Sequence, residues 1–138
     1  SMNIYYGASI FGAEGDSNFN RKIIMYLKKY GNFLSEHLFD DDYKKLEKLS
    51  AKEIHDRDVA WIEESNALVM NVSAPSLGVG YEIKTGSVLL KPILCLWTLQ
   101  EGKKLSAMIE GSPNVEVCKH KDLEQAINGV NSFMQRIK

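Results

Sequence analysis

The chain has 138 residues, which is enough for a single domain that needs no disulfide or metal to hold its core. Its formal charge of −1 gives no long-range attraction to a nucleic-acid polymer or an anionic membrane, and we expect neither as a partner. Two cysteines, with no long apolar run and no signal-peptide pattern, predict a cytoplasmic location and leave nuclear entry open. Ser1 is typical of a cleaved tag, so the predicted domain spans residues 2–138.

The first 38 residues predict a strand, a helix and a second strand. Residues 2–6 are apolar and β-branched or aromatic, as in a buried strand, and a glycine-punctuated loop follows at 7–15. Apolar residues three and four positions apart then predict a helix that Asp16 caps and Gly31 ends. The segment 32–38 is the second predicted strand.

The middle of the chain repeats this alternation of helix and strand. Ser50 and Glu53 form the S-x-x-E pattern of a capping box, which predicts a helix that runs through Ser65. The run ALVMNV at 67–72 is the clearest buried strand, and a loop rich in turn-forming residues follows it at 73–80.

The rest of the chain predicts a helix, a strand, a short helix, a short strand and a closing amphipathic helix, at residues 81–90, 92–97, 105–109, 115–118 and 121–137. Strands that alternate with helices favour parallel pairing through right-handed crossovers. The predicted fold is therefore a single-domain α/β protein, with a doubly wound five-stranded parallel sheet in the flavodoxin-like order 2-1-3-4-5.

Ligands of such sheets bind beyond the carboxyl ends of the strands, where the strand order reverses. In this order the reversal lies between strands 1 and 3, which the loops at 7–15 and 73–80 follow. The glycines and Ser9 of the first loop could hold an anion with backbone N–H groups, or serve chain reversal alone. In the second loop, Pro75 and Gly78 predict a tight turn, and the missing side chains of Gly78 and Gly80 would let a ligand approach the backbone.

Two carboxylates are candidates for chemistry at this edge of the sheet. Glu82 is expected in the first turn of its helix, where it either complements the helix dipole or faces a ligand. Asp58 lies on the apolar side of its helix, where it either pairs with a cation such as Arg57 or acts as a general acid. Two carboxylates that flank a sugar C1′ are the minimum for glycosidic cleavage, and the Tyr5 hydroxyl could hold the nucleophile in place.

We expect no metal and no cofactor. The three histidines lack metal-ligand spacing, and the acidic run at residues 40–42 is typical of a solvated loop. The sequence contains no P-loop, no G-x-G-x-x-G fingerprint and no G-x-S-x-G nucleophile elbow.

Six strings along nearly the whole chain resemble the 2′-deoxynucleoside 5′-monophosphate N-hydrolases of the nucleoside 2-deoxyribosyltransferase superfamily. The most specific are APSLGVGYE, which ends at Glu82, and LSAMI, which begins at Leu105. The others are IYYGASI, LSEH, IHDRDVAW and ILCL, which begin at residues 4, 34, 54 and 93. The resemblance implies hydrolysis of the N-glycosidic bond of a 2′-deoxynucleoside 5′-monophosphate to free base and 2-deoxyribose 5-phosphate.

The resemblance also implies a role for each matching residue. Glu82 is the nucleophile that attacks C1′ and forms a covalent intermediate, Asp58 is the proposed acid, and Tyr5 is the third catalytic residue. The residues implied in binding the phosphate, the C2′ side of the sugar and the base are Ser9, Ile10, Gly12, His37, Ser76 and Gly78. Ser106 and Met108 match residues that complete the neighbour's active site, which implies a homodimer.

One position departs from the family pattern in a way that concerns the phosphate. Phe11 stands where the family motif has an arginine, and a bidentate guanidinium contact is among the stronger polar interactions. Another cation, such as Arg21, Arg57 or a lysine, would have to replace it.

Two other functions fit the same residues. A nucleoside 2-deoxyribosyltransferase shares the nucleophile but passes the sugar to a second base; Ser106 favours a phosphate ligand and argues against this alternative. A non-catalytic nucleotide-binding module could use the same fold, since fold alone does not decide function. The retained Glu82, Asp58 and Tyr5 argue against that module.

Overall fold

The computed structural model describes residues 2–9, 14–35 and 48–138 of the chain. Within these residues the strands are β1 (Met2–Ala8), β2 (Gly31–Phe33), β3 (Ala67–Asn71), β4 (Ile93–Thr98) and β5 (Val115–His120). The helices are α1 (Glu14–Leu27), α2 (Ala51–Glu64), α3 (Leu77–Val88), α4 (Ala107–Glu110) and α5 (Leu123–Ile137). None of the described helices is long and apolar enough to cross a membrane.

The strands form one parallel sheet in the order β2-β1-β3-β4-β5. The predicted fold class and strand order are therefore confirmed. β1 and β3 are neighbours at the centre, so the loops that follow them lie side by side at the carboxyl edge of the sheet.

Alternate residues of the central strands pack on opposite faces of the sheet. On β3, Ala67 and Val69 face a core shared with α1 and α5, whereas Leu68 and Met70 face a core shared with α2 and α3. Burial of a leucine-sized side chain stabilises the fold by roughly 1.5–3 kcal/mol. A strand buried on both faces must be apolar at every position, which explains the uninterrupted run that predicted it.

The capping box at the start of α2 is confirmed. The Ser50 hydroxyl accepts a hydrogen bond from the Glu53 backbone N–H at 3.1 Å, and the Glu53 carboxylate accepts one from the Ser50 N–H at 3.0 Å. The predicted cap of α1 is wrong, because that helix begins at Glu14 and Asp16 lies inside its first turn. An acidic residue is favoured both as the N-cap and inside the first turn of a helix. An aspartate alone therefore does not show which of these two positions it occupies.

The start of β2 also differs from the prediction. A turn at residues 28–30 follows α1, and Gly31 begins the strand instead of ending the helix. A Cβ atom at Gly31 would lie 2.1 Å from the carbonyl oxygen of Met2, so a glycine permits the close pairing with β1. The strand is shorter than the predicted segment 32–38, whose last three residues lie outside the described residues.

The predicted loop after β3 is partly wrong, because α3 begins four residues earlier than expected. Ser76 is its N-cap, with a side-chain oxygen that accepts from the Val79 N–H at 3.3 Å. Gly78 therefore lies in the first turn of the helix, not in a tight turn, and Glu82 lies in the second turn. Glycine costs a helix about 1 kcal/mol relative to alanine, and the burial of Val79 against the sheet offsets that cost.

Candidate active site

Glu82 and Tyr5 meet beneath the carboxyl edge of the sheet. Tyr5 projects from β1 towards α2 and α3, and its hydroxyl donates a hydrogen bond to Oε2 of Glu82. The carboxylate lies against the β1 backbone at Gly7, where a Cβ atom would be 3.0 Å from Glu82 Oε1 and 2.3 Å from Met70 Cε. Glycine at this position therefore makes room for the carboxylate.

The surroundings of this pair change how both groups titrate. Burial raises the pKa of Glu82 to about 7, the hydrogen bond from Tyr5 opposes that rise, and the negative charge of Asp58 adds to it. Burial also raises the pKa of Tyr5, as do the charges of Glu82 and Asp58. Tyr5 therefore stays a hydrogen-bond donor, while both the acid and the carboxylate forms of Glu82 are present near neutral pH.

Asp58 approaches the same place from α2. Its Oδ1 lies 3.0 Å from Nε of Arg57, and the two side chains are 19% and 18% exposed. The Arg57 guanidinium also lies over the ring of Trp61, 4.7 Å from its centroid. The cation pairing considered for Asp58 is thus observed, and Asp58 also lines a cavity beside Glu82. Its role as an acid stays a prediction.

The cavity that both carboxylates line lies between α2 and α3 and has a volume of about 460 Å³. This volume falls within the usual range for small-molecule sites. Its other walls are mostly apolar and include Ile54, Val59, Ile62 and Leu77. Two charged groups in an apolar, concave surrounding are typical of an active site.

His55 and Tyr81 form a part of the rim that the sequence analysis did not assign to the site. Nε2 of His55 lies 3.0 Å from the Tyr81 hydroxyl, and Nδ1 lies 3.0 Å from Oδ1 of Asp56. Both His55 and Tyr81 line the cavity. Their spacing in the sequence could have indicated both residues. His55 precedes Asp58 by nearly one helical turn, and Tyr81 directly precedes Glu82.

The structure places some of the predicted substrate-binding residues at this edge. Ser9 directly follows β1, Ser76 caps α3, and Gly78 lines the cavity with Glu82. Their contacts with a substrate stay predictions. Three other predicted positions lie outside the described residues, as does Phe11. They are Ile10, Gly12 and His37.

Ser106 and Met108 lie on the opposite side of α3 from the carboxylates. They line a groove of about 850 Å³ between α3 and α4, and neither lines the cavity around Glu82. The Ser106 hydroxyl accepts from the Met108 N–H at 3.2 Å as the N-cap of α4, while the Met108 side chain is 82% exposed. In the single chain, α3 therefore separates these two residues from the nucleophile candidate.

Known proteins resemble the chain closely in sequence. A 5-hydroxymethyl-dUMP N-hydrolase of Danio rerio is 45% identical over 113 residues, which is 80% of this chain and 79% of the relative. The protein of the same name from Esox lucius is 35% identical over 134 residues, which is 94% of this chain and 92% of the relative. No protein-family model matches the chain.

Among solved structures, the CMP N-glycosidase BcmB of Clostridium botulinum has a TM-score of 0.72 and covers 95% of this chain and 98% of its own. At 17% identity this likeness shows the shared fold alone. The sequence identities to these relatives make the chain an N-hydrolase. It belongs to the family of the 2′-deoxynucleoside 5′-phosphate N-hydrolases, so the resemblance found in its sequence is confirmed.

Proposed function

We propose that the chain hydrolyses the N-glycosidic bond of 2′-deoxynucleoside 5′-monophosphates, with Glu82 as a covalent nucleophile. The observation that carries this proposal is the half-buried Glu82 carboxylate, which Tyr5 holds by a hydrogen bond in a cavity shared with Asp58. The names of the relatives support the substrate class, because each is a hydrolase of a deoxynucleotide.

In the proposed reaction, ionised Glu82 attacks C1′ while the bond to the base breaks. Oε2 accepts the Tyr5 hydrogen bond, which leaves Oε1 to form the ester with the sugar. Asp58 supplies the proton that the departing base takes up, and then accepts a proton from the water that hydrolyses the ester. For this role Asp58 must carry a proton in the substrate complex at the moment when the bond to the base breaks.

A 2′-deoxy sugar suits this route. The transition state resembles an oxocarbenium ion, and a 2′-hydroxyl would withdraw electrons from it. The family resemblance also implies that Ile10, which lies outside the described residues, would disfavour a 2′-hydroxyl through its bulk and apolarity. Ser9, Ser76 and Ser106 of the neighbour are the proposed phosphate ligands, so unphosphorylated deoxynucleosides should be poor substrates.

The first test is the release of free base from deoxynucleoside monophosphates by wild type and by Glu82→Ala. Loss of a covalent nucleophile lowers kcat by several orders of magnitude. The matched control is Glu63→Ala, which removes an exposed carboxylate of α2 and should leave kcat unchanged. More than about a tenth of wild-type activity in Glu82→Ala would rule out the covalent mechanism. Adding a second base to the assay detects transfer of the sugar.

We further propose that the chain is a homodimer in which the groove between α3 and α4 receives a second copy. Two apolar side chains of the groove are almost fully exposed in the single chain, Leu77 at 97% and Met108 at 82%. A contiguous exposed apolar surface is typical of an interface. Because α3 separates Ser106 from the cavity in its own subunit, Ser106 can complete a site only across such an interface.

Mixed dimers test this sharing of sites. Co-expression of differently tagged Ser106→Ala and Glu82→Ala chains gives a heterodimer with one intact site and one site that carries both defects. Loss of one hydrogen bond to a charged phosphate costs roughly 1.5–3 kcal/mol, so each Ser106→Ala homodimer is about ten- to a hundredfold slower at low substrate. The heterodimer should recover about half of the wild-type activity. Activity no higher than the mean of the two mutant homodimers, or a monomer in light scattering, would contradict the shared site.

A further inference from the structure

A chain of buried polar side chains crosses the carboxyl edge of the sheet on the face that α1 covers. Oδ1 of Asn20, on α1, accepts hydrogen bonds from the Tyr6 hydroxyl at 2.7 Å and from Nδ2 of Asn71 at 2.9 Å. Asn71 is the last residue of β3, and its Oδ1 accepts from the Ser73 backbone N–H at 3.0 Å. Asn20 and Asn71 are only 3% and 4% exposed, so these bonds are shielded from water.

Ser73 is held at each of its polar atoms. Its N–H donates to Asn71, its hydroxyl oxygen accepts from the Thr98 N–H at 2.8 Å, and its carbonyl accepts from Nε2 of Gln100 at 3.2 Å. The Ser73 hydroxyl also lies 3.1 Å from Oγ1 of Thr98, to which it donates. Ser73, the second residue after β3, is thus held directly to the ends of β3 and β4, and through Asn71 to α1.

This network lies where the backbone position matters for the reaction. Three residues separate Ser73 from the beginning of α3, which carries Glu82 in its second turn. Buried polar groups gain little net stability over well-packed apolar groups, but they require one arrangement of their partners. Their effect here is therefore expected in the placement of the segment 73–76 more than in stability.

We propose that Asn71 is a positioning residue for the hydrolysis, and that it acts through Ser73. It ties the segment 73–76 to α1 on one side and so sets where α3 begins, and with it the distance of Glu82 from the β1 backbone. Asn71 does not line the cavity, so its effect on the reaction is indirect. The inference rests on the proposed function, because the positioned group is the proposed nucleophile.

Asn71→Asp tests this role because its effect depends on pH. The variant keeps the oxygen that accepts from Ser73, but it can donate to Asn20 only while its acid is protonated. Burial favours the protonated acid, so the bond to Asn20 is present at low pH and is replaced by repulsion between oxygens as the pH rises. The ratio of kcat/KM in Asn71→Asp to that in wild type should be near one at about pH 5.5 and fall about tenfold by about pH 8.

The matched control is Asn66→Asp, which makes the same change at the amino end of β3. Oδ1 of Asn66 accepts from the Asn3 N–H at 2.8 Å, and this acceptor survives the substitution. Its ratio to wild type should stay near one at every pH. Circular dichroism at the assay temperature shows that each variant is folded, so a change in the ratio reports position and not unfolding. A ratio for Asn71→Asp that does not vary with pH would overturn the proposal.

Amide hydrogen exchange separates this inference from the proposed function. Relative to wild type at the same pH, Asn71→Asp should exchange faster in the peptide 73–79 at about pH 8 but not at about pH 5.5, with α5 as the internal reference. Unchanged exchange in that peptide overturns the positioning role, whatever the wild type hydrolyses. If Asn71→Asp does not fold, Ser73→Ala removes only the hydroxyl that Thr98 holds. It should speed exchange in the same peptide, and unchanged exchange there would also overturn the proposal.

Discussion

Replacing Glu82 by glutamine should stabilise the protein while it destroys the proposed activity. Glutamine has the shape of glutamate and can still accept the hydrogen bond from Tyr5, but it never carries a charge in the half-buried site. The stabilisation should appear only at a pH at which wild-type Glu82 is ionised. The difference in the free energy of unfolding between wild type and Glu82→Gln therefore measures how much the ionised carboxylate destabilises the fold.

The size of the effect follows from the titration of Glu82. Its pKa is about 7 in the folded chain and has its ordinary value of 4.5 in the unfolded chain. Between these values the folded chain holds more protons than the unfolded chain, so the free energy of unfolding decreases as the pH rises through this window. The loss is complete above about pH 7 and amounts to about 2–3 kcal/mol after allowance for partial exposure.

The assay is thermal unfolding of wild type and Glu82→Gln at about pH 4.5 and about pH 8. For a domain of this size, about 2–3 kcal/mol corresponds to roughly 6–12 °C in Tm at the higher pH, with little difference at the lower pH. The control is Glu63→Gln, at an exposed position of α2. Its Tm should differ from that of wild type by the same small amount at both pH values. A Tm difference for Glu82→Gln that does not change with pH would refute the argument that burial opposes its charge.

Three further results are expected. If ionised Glu82 is the nucleophile, kcat/KM should fall about tenfold per pH unit below about pH 7, and a plateau that extends to about pH 5 would contradict this. Tyr5→Phe removes a hydrogen bond that lowers the pKa of Glu82, so the pH at which kcat/KM falls to half should become higher. An unchanged midpoint would mean that the hydrogen bond does not favour the carboxylate. Gly7→Ala places a Cβ atom 3.0 Å from Glu82 Oε1 and 2.3 Å from Met70 Cε, which is the end of a flexible side chain. It should therefore displace the carboxylate and slow turnover more than it lowers stability, and wild-type base release would show that the carboxylate does not lie against β1.

Several features of the fold could be predicted from residues close together in the sequence. The run at 67–72 has the composition of a doubly buried strand, and Ser50 with Glu53 has the spacing of a capping box. Both are local patterns, because side-chain direction and hydrogen bonding repeat with the period of the element that contains them. The strand order followed from the alternation of helices and strands, since right-handed crossovers leave few topologies.

The beginning of α3 shows where local patterns fail. Glycines at 78 and 80 favour a loop by composition, yet the helix includes them, because Ser76 caps it and Val79 and Ile83 pack against the sheet. Propensity is a weak preference that tertiary burial overrides. Tertiary contact also explains Gly31. A glycine is needed there because the carbonyl of Met2 lies close by, and not because a helix ends there.

The sequence by itself determined which residues are chemically suited to the site: Glu82, Asp58 and Tyr5 were singled out by residue type, spacing and family resemblance. Only the tertiary structure decided how they meet. The bond between Tyr5 and Glu82 joins positions 77 residues apart, and the raised pKa of Glu82 depends on the atoms that exclude water from it. Such contacts depend on how α2 and α3 pack on β1 to within a fraction of an ångström. Neither residue type nor periodicity specifies a distance of that kind, because both describe one element at a time.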